Sequence, residues 1–262
     1  MRARRVRLRS RSRRLITAGG LALTVLGPGR AFAQQGDGYL FRPPVGSLTV
    51  RGGYQVPATR SDFWSFTTEQ LTLGRRQLAG LTIGGDLSGR INDRWSWQLS
   101  ADLLSRGTDS EYRRFEEQLA NGTRVPIRQR TEFRRLPITF GWRYDLRPDG
   151  ERIGQFAWMP SRVAPYVMGG GGASWYSFRQ RGDFVNFDNA NAIFTDDFTS
   201  SGWGLVGYVG AGVDISLNTV LALSTQLRAV IGNAPLRRDF RGFEPLDLSG
   251  AMLTTGIRLR LP

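Results

Sequence analysis

The sequence contains no cysteine and no histidine. Without cysteine, the chain has no disulfides and no thiolate metal sites. Without histidine, it lacks the usual general base of Ser/His or Asp/His catalysis and a common metal ligand. The sequence therefore predicts a non-enzymatic protein that holds no cofactor and no metal.

Two pairs of adjacent carboxylates remain as candidates for chemistry, Glu116 with Glu117 and Asp196 with Asp197. Adjacent residues on a strand point to opposite faces, so neither pair is placed to share a substrate. Both pairs are interpreted as solvated loop charges. A calcium ion held by Asp196 and Asp197 is the alternative for the second pair.

Acidic residues are also absent from positions 1–33, which hold nine arginines. The net charge of the whole chain is +14, so the remainder carries only +5, and we expect no nucleic-acid partner. A short apolar run and Ala31-Phe32-Ala33 follow the arginines, which is typical of an export signal cleaved after Ala33. Ser12, Arg13 and Arg14 also fit a twin-arginine signal, which is a second export route.

Eight segments alternate between apolar and polar residues with a period of two, which indicates strands with unlike faces. In RWSWQLSADL (94–103), tryptophan, leucine and alanine alternate with serine, glutamine and aspartate. Each segment has roughly 9 to 12 residues, about the length of a tilted bilayer crossing. The facing of Pro165 to Tyr176, a glycine-rich strand, stays open. The predicted strands span 48–56, 79–90, 94–103, 136–145, 165–176, 203–214, 221–229 and 251–261.

Eight such strands predict an all-β fold, because bacterial outer-membrane barrels have an even number of antiparallel strands. The predicted fold is an eight-stranded antiparallel transmembrane β-barrel preceded by a cleavable signal peptide. We divide the chain into a signal peptide (1–33), a periplasmic N-terminal segment (34–45) and the barrel (46–262). A soluble secreted β-sandwich or lipocalin-like binding protein is the alternative, because alternation alone does not show whether lipid or a protein core covers the apolar face.

The two faces of the predicted strands give two sets of candidate residues, one for the lumen and one for the lipid-facing wall. The polar parity and the apolar parity below are the alternate positions that form these two faces. The polar parity holds charges of both signs, which an enclosed lumen tolerates when they pair. The apolar parity holds aromatic rings near strand ends, where a membrane interface favours them. The predicted lumen charge network is Arg51, Asp86, Arg90, Asp102, Arg143, Asp145, Asp214, Arg228, Arg258 and Arg260. The predicted lipid-facing aromatics are Trp95, Trp97, Phe140, Trp142, Tyr144 and Trp203.

A short amphipathic helix is predicted in the second long loop, DSEYRRFEEQLANGT (109–123). Tyr112, Phe115 and Leu119 have helical spacing there, and Asn-Gly ends the segment. Arginines beside this helix are candidates to contact the phosphates of lipopolysaccharide, since a guanidinium binds phosphate oxygens in pairs. These arginines are Arg106, Arg113, Arg114 and Arg124. A merely solvated loop is the alternative.

An N-terminal signal followed by eight such strands, with PYVMGGGGASWY (165–176) and GYVGAGVDISLN (207–218), resembles the small outer-membrane β-barrel superfamily that includes outer-membrane proteins A, X and W. The resemblance implies integral insertion in the outer membrane of a Gram-negative envelope, outer-membrane lipid and lipopolysaccharide as partners, and the barrel-assembly machinery during biogenesis. The chain ends Arg260-Leu261-Pro262, whereas such barrels usually end in an aromatic residue.

Known barrel enzymes depend on a histidine, which this chain lacks. We therefore expect a non-enzymatic outer-membrane barrel protein with a structural or surface-interaction role. The lumen of an eight-stranded barrel is just wide enough for side chains to fill it, which disfavours a diffusion pore. A narrow channel for small apolar molecules is the alternative function.

Overall fold

The computed structural model describes residues 39–118, 122–154, 157–186, 192–240 and 242–262. The predicted signal peptide, with its cleavage site, lies outside the described residues. The strands, in chain order, are β1 (Gly46–Pro57), β2 (Gly80–Arg90), β3 (Trp95–Gln118), β4 (Arg124–Asp145), β5 (Gly150–Ile153), β6 (Ala157–Pro160), β7 (Val163–Asn186), β8 (Ala192–Ser216), β9 (Leu221–Ala234), β10 (Leu246–Asp247) and β11 (Gly250–Leu261).

Eight of these strands form a closed antiparallel barrel, which confirms the predicted eight-stranded architecture. Around the ring, the order is β1, β2, β3, β4, β7, β8, β9 and β11, and β11 pairs again with β1. The first and last strands pair along their whole length, from Gly46 opposite Leu261 to Pro57 opposite Gly250. Closure in this way leaves none of the eight strands as a free edge along the common part of the barrel.

One end of the barrel, which we call the turn end, holds the start of β1 and the end of β11. Two tight turns lie there, and in each an asparagine carbonyl accepts backbone N–H groups. Asn92 Oδ1 accepts from the N–H of Trp95 at 2.8 Å, and Asn218 Oδ1 accepts from the N–H of Leu221 at 2.6 Å. The connection from β4 to β7 also lies at this end. The opposite end, which we call the loop end, holds the connections from β1 to β2, β3 to β4, β7 to β8 and β9 to β11.

Four strands, β3, β4, β7 and β8, are 22 to 25 residues long. The prediction of roughly 9 to 12 residues for each strand was therefore wrong for these four. They continue past the barrel wall at the loop end as a four-stranded extension (104–118, 124–135, 176–186 and 192–202). Most of the chain between the third and fourth predicted strands, and between the fifth and sixth, is therefore extended strand.

The predicted rim helix in 109–123 was wrong, because β3 runs through this segment as far as Gln118. The pairing of β3 with β4 shifts register between Glu111 and Glu116. The rings of Tyr112 and Phe115 contact at 6.0 Å within this irregular stretch of strand, so their spacing reflects a bulge and not a helical turn. Leu119 lies outside the described residues.

A helix that the sequence analysis missed lies in the first loop-end connection. Helix α1 (Asp62–Gln70) follows Ser61, and a second helix, α2 (Arg75–Leu78), follows it. The last connection contains a short 3-10 helix (Arg238–Phe240). Among the described residues, no helix has the length and apolarity needed to cross a bilayer.

Candidate functional site

The middle of the lumen holds a ring of four charged side chains from four strands. Arg51 Nη2 donates to both carboxylate oxygens of Asp102, at 2.7 and 2.8 Å. Arg51 also pairs with Asp86, and Arg228 Nη2 donates to Asp86 Oδ1 at 3.0 Å from the other side of the barrel. The Ser100 hydroxyl donates to the same oxygen at 2.6 Å. All of these side chains are buried, so this layer fills the lumen with paired charge.

A second charged layer lies closer to the turn end. Arg143 Nη2 lies 2.6 Å from Asp145 Oδ1 and 2.8 Å from Asp214 Oδ2. Arg258 pairs with Asp214 from the opposite wall. The guanidinium of Arg143 lies over the ring of Tyr166, 3.6 Å from its centroid, which adds a cation–π contact.

A hairpin of β5 and β6 closes the turn end itself. Its Trp158 is 1% exposed and exchanges two backbone hydrogen bonds with Leu40, at 2.7 and 2.8 Å. The guanidinium carbons of Arg90 and Arg260 each lie 5.7 Å from the centroid of the Trp158 ring. A side chain at Gly150 would collide with this ring, so the hairpin requires glycine there.

The hairpin also brings in Asp149, whose carboxylate accepts from Arg260 Nη2 at 2.8 Å. Burial raises the pKa of Asp149, but the positive charges of Arg258 and Arg260 outweigh that effect and hold the pKa below its ordinary value. Asp149 is therefore charged, and its ion pair with Arg260 joins the hairpin to the last barrel strand; we call this pair the hairpin latch.

The structure places all ten residues of the predicted charge network on the inner face, within these layers. Arg90 is the least buried of them, and it lies 3.9 Å from Asp149. The sequence analysis missed Asp149, which lies outside any barrel strand. It also missed Arg135, which is 1% exposed and donates through Nε to Ser174 at 3.3 Å, because the fourth strand was predicted to begin one residue later.

Apolar side chains fill the lumen at the loop end. Phe63 and Trp64 of α1 point into the barrel mouth, where both are 1% exposed. The Trp64 ring lies 5.7 Å from that of Phe133 on β4 and 5.8 Å from that of Phe178 on β7. Together with Leu246 and other buried residues of the last connection, they form an apolar seal above the charged layers.

Helix α1 is held in this position by hydrogen bonds at both ends. Asp62 accepts from the backbone N–H of Glu244 at 3.1 Å. At the other end, Arg113 Nε donates to the backbone carbonyls of Leu71 at 2.7 Å and Thr68 at 3.2 Å, which satisfies groups that a helix C-terminus leaves unpaired. The α1 segment therefore bridges the last connection and the extension.

An aromatic pocket lies outside the apolar seal, between α1, the extension and the 3-10 helix. Its cavity is about 240 Å³, and seven phenylalanines and Tyr112 contribute to its lining. Gln129 and Gln180 contribute carboxamides to the same wall, and Asp239 lies at its border. This pocket was not predicted, since its residues come from six separate segments.

The outer wall of the barrel is uncharged over a continuous band, which we call the belt. Its outward positions on each strand hold no Asp, Glu, Lys or Arg from 48 to 56, 81 to 89, 95 to 103, 136 to 144, 163 to 175, 203 to 215, 221 to 231 and 251 to 261. The six predicted aromatics all lie on this outer wall; Trp95, Phe140, Trp142 and Trp203 are 44 to 52% exposed. Tyr54 also lies on the outer wall. So does Trp175, on the strand whose facing stayed open: it pairs with Trp203, while Tyr166 and Tyr176 point inward.

Polarity inverts along β4 and β7 where the belt ends. On β4, Phe140 and Trp142 face outward within the belt, but beyond Leu136 the outward residues are Arg134, Glu132, Arg130 and Arg128. In the same extension, the inward side becomes apolar, with Ile127 and Phe133 buried. β7 changes in the same way, because Trp175 faces outward, whereas Phe178 faces inward and Arg179 outward.

The arginines predicted to contact lipopolysaccharide lie near the loop end. Arg106 Nε donates to the Gln77 carbonyl at 3.1 Å, and Arg113 binds the end of α1. Arg124 is exposed at the start of β4, and the side chain of Arg114 lies outside the described part. Contact of these four residues with lipopolysaccharide stays a prediction.

Further arginines, which were not in the predicted set, face outward from the extension. Arg179 Nε donates to Asp197 Oδ1 at 2.6 Å, and Arg181 Nη2 lies 3.3 Å from Asp197 Oδ2. The hydrogen bond from Arg179 lowers the pKa of Asp197 to about 2. Asp197 is therefore neutralised by arginine, which leaves no support for the calcium alternative at Asp196 and Asp197. The described residues contain no group of three or more acidic side chains placed to hold a metal ion.

Comparisons with known proteins find similarity in structure only. No protein-family model and no curated protein matches the sequence. Among solved structures, the chain is similar to Neisserial surface protein A (14% identity, TM-score 0.40, covering 82% of this chain and 96% of that one). It is also similar to the N-terminal β-barrel domain of Pseudomonas aeruginosa OprF (11%, 0.33, covering 83% and 98%) and to Ail, the attachment invasion locus protein of Yersinia pestis (13%, 0.39, covering 81% and 98%). The chain thus resembles small outer-membrane β-barrels, as the sequence predicted. Because each of these TM-scores is below 0.5, the likeness supports no conclusion beyond the strand pairing described above.

Proposed function

We propose that this chain is an integral outer-membrane β-barrel with a filled lumen, and that its role is structural or lies in interactions at the membrane surface. The single observation that carries this proposal is the inversion of polarity along β4 and β7. A strand in water throughout would keep its apolar residues on the inner face. A strand that leaves lipid for water changes face at the boundary, as these strands do beyond Leu136 and Trp175.

The few hydroxyl groups in the belt support the same proposal. Thr225 and Thr255 are the threonines on its outward face, and their hydroxyls are hydrogen-bonded to each other at 3.0 Å. A hydroxyl in hydrocarbon has no water to bond, so mutual pairing removes most of the cost of placing both there. The tryptophans lie toward the two borders of the belt, where amphipathic rings prefer the interface.

The filled lumen supports a role that does not depend on diffusion of solutes. The barrel axis passes, from the loop end to the turn end, through the apolar seal, two layers of paired charge and the Trp158 hairpin. Moving a hydrated ion along this path would require several buried ion pairs to separate, and that is costly. We therefore expect the intact protein to give no steady conductance in planar bilayers; a stable conductance step would contradict the filled lumen.

The lipid partner follows from charge at the loop-end border of the belt. Arg134 is exposed there, and Arg179 and Arg181 lie one strand away. Arginine binds phosphate oxygens with two parallel hydrogen bonds, so this row is suited to lipopolysaccharide phosphates, together with the exposed Arg106 and Arg124. In this arrangement, the loop end faces outside the cell and the signal peptide at 1–33 directs export.

Fractionation tests the membrane proposal directly. We expect the processed chain to stay with the outer membrane after a carbonate wash and to migrate faster on gels before boiling than after it, because a closed barrel resists detergent. The soluble alternative predicts release into the periplasmic extract and one mobility. Recovery as a monodisperse soluble protein without detergent would contradict the proposal.

A further inference from the structure

The aromatic pocket at the loop end has the size of a small-molecule site. Its volume is about 240 Å³, whereas an apolar cavity of about 150 Å³ binds benzene. Two fused aromatic rings therefore match the space. The pocket opens to solvent beside Phe66 and Phe194, which are 46% and 38% exposed.

The wall of the pocket favours an aromatic occupant. Phe184 contacts Phe198 edge-on with centroids 4.5 Å apart, and Phe63 contacts Phe240 edge-on at 5.2 Å. Rings arranged in this way present both faces and edges to a guest, and aromatic pairs prefer such offset and edge-to-face contacts.

Charge in the wall excludes an anionic occupant. Among the described residues, no arginine or lysine contributes to the lining, and Asp239 is its acidic member. A carboxylate entering the pocket would lose its hydration without gaining a cation, and it would lie near another negative charge. The occupant is therefore uncharged.

One polar atom in the wall lacks a partner within the part of the chain that the structure describes. Gln129 is 3% exposed, and its Nε2 donates to the backbone carbonyl of Asp183 at 3.0 Å, which fixes the carboxamide. Its Oε1 is buried and has no hydrogen-bond partner among the described residues. Buried acceptors in folded proteins are almost always paired. This oxygen is shielded from solvent, so a donor on a ligand would reach it through a local movement of the Gln129 side chain, which lines the pocket.

We propose that this pocket binds a small uncharged aromatic molecule that carries one hydrogen-bond donor, of the phenol or indole class, with the donor directed to Gln129 Oε1. The site retains its ligand and does not pass it inward, because the apolar seal of Trp64, Phe133 and Phe178 closes the lumen beneath it. The proposal goes beyond the proposed function and does not depend on lipid around the belt.

Three naphthalene probes of nearly equal size separate the contributions of shape, hydrogen bonding and charge to binding in the pocket. The full barrel in lipid nanodiscs is dialysed against 2-naphthol, naphthalene or 2-naphthoate, and the amount bound to empty nanodiscs is subtracted. We expect saturable binding of 2-naphthol, about 3- to 12-fold weaker binding of naphthalene because one hydrogen bond is lost, and binding of 2-naphthoate weaker by at least about tenfold. Absence of saturable 2-naphthol binding, or equal binding of the naphthoate, would overturn the proposal.

Two tryptophan substitutions on α1 locate the binding. Gln70 lies in the pocket wall and Glu69 beside it is exposed and outside the lining. Gln70→Trp fills the pocket and should abolish the 2-naphthol signal, while the matched control Glu69→Trp should leave it unchanged. Gln129→Leu should bind naphthalene as the wild type does but lose the preference for 2-naphthol. Unchanged binding in Gln70→Trp would place the probe elsewhere and contradict the proposal, whatever the folding yield of Gln129→Leu.

Discussion

Leu227→Arg tests the surroundings of the outer wall. Leu227 is 56% exposed and lies mid-belt on β9, between Ala211 of β8 and Leu253 of β11. No outward-facing acid in the belt could pair with a new guanidinium there. An arginine near the midplane of a bilayer costs a barrel about 2–4 kcal/mol, and the cost falls to about 0–1 kcal/mol near the interface.

The matched control is Asn233→Arg, on the same strand and the same face but just beyond the belt. We therefore expect Leu227→Arg to lower the free energy of unfolding by about 2–4 kcal/mol, and Asn233→Arg to lower it by at most about 1 kcal/mol. Equilibrium unfolding from phospholipid vesicles, followed by tryptophan fluorescence, measures both values. An exposed side chain in water tolerates such changes within about 0.5 kcal/mol, so equal and small effects at the two positions would refute the reasoning.

Three further predictions concern the lumen and α1. Asp86→Asn leaves Arg51 and Arg228 with a weakened partner in a buried layer, and we expect a loss of about 3–5 kcal/mol in the same unfolding assay; a loss below 1 kcal/mol would mean that water hydrates this layer. The folded-state pKa of Asp149 is lowered, so its contribution to stability is complete above the unfolded pKa of about 3.9 and is lost as the pH falls through the lower folded value; the stability difference between the wild type and Asp149→Asn should be constant from pH 5 to 8 and shrink below about pH 4. Arg113→Ala removes two hydrogen bonds from the end of α1, together about 1–3 kcal/mol, and hydrogen exchange of the α1 amides should accelerate about 5- to 150-fold while exchange in β9 stays unchanged.

The strands of the belt were predictable because lipid on one side and paired charge on the other impose a strict period of two. The facing of Trp95, Phe140 and Arg143 follows directly from that period. β7 was the exception, since glycines at 169–172 lack side chains to show a parity. The structure explains one of them: a side chain at Gly170 would collide with the backbone of Phe140 and Gly141 on β4.

The extension was missed because its apolar residues lie on the inner face, whereas those of the belt lie on the outer face. A search for outward apolar residues ends at Leu103 and Leu136, although the strands continue with Leu104 and Phe133 on the inner face. The pocket and the hairpin latch were missed for a different reason. Asp149, Gln129 and Phe240 come together through tertiary contacts among loops, which local periodicity does not encode. Helix α1 was also missed, although Ser61 followed by Asp62 is typical of a helix start.

The most direct measurement of what surrounds the belt uses the absence of cysteine, which allows single nitroxide labels without background. Labels at Leu227 in mid-belt, Asn233 beyond the belt and Arg130 on the extension would be compared for collisions with oxygen, which dissolves in acyl chains, and with a water-soluble nickel chelate. Lipid around the belt predicts high oxygen and low nickel accessibility at Leu227, and the reverse at the other two positions. Nickel accessibility at Leu227 equal to that at Arg130 would contradict the account.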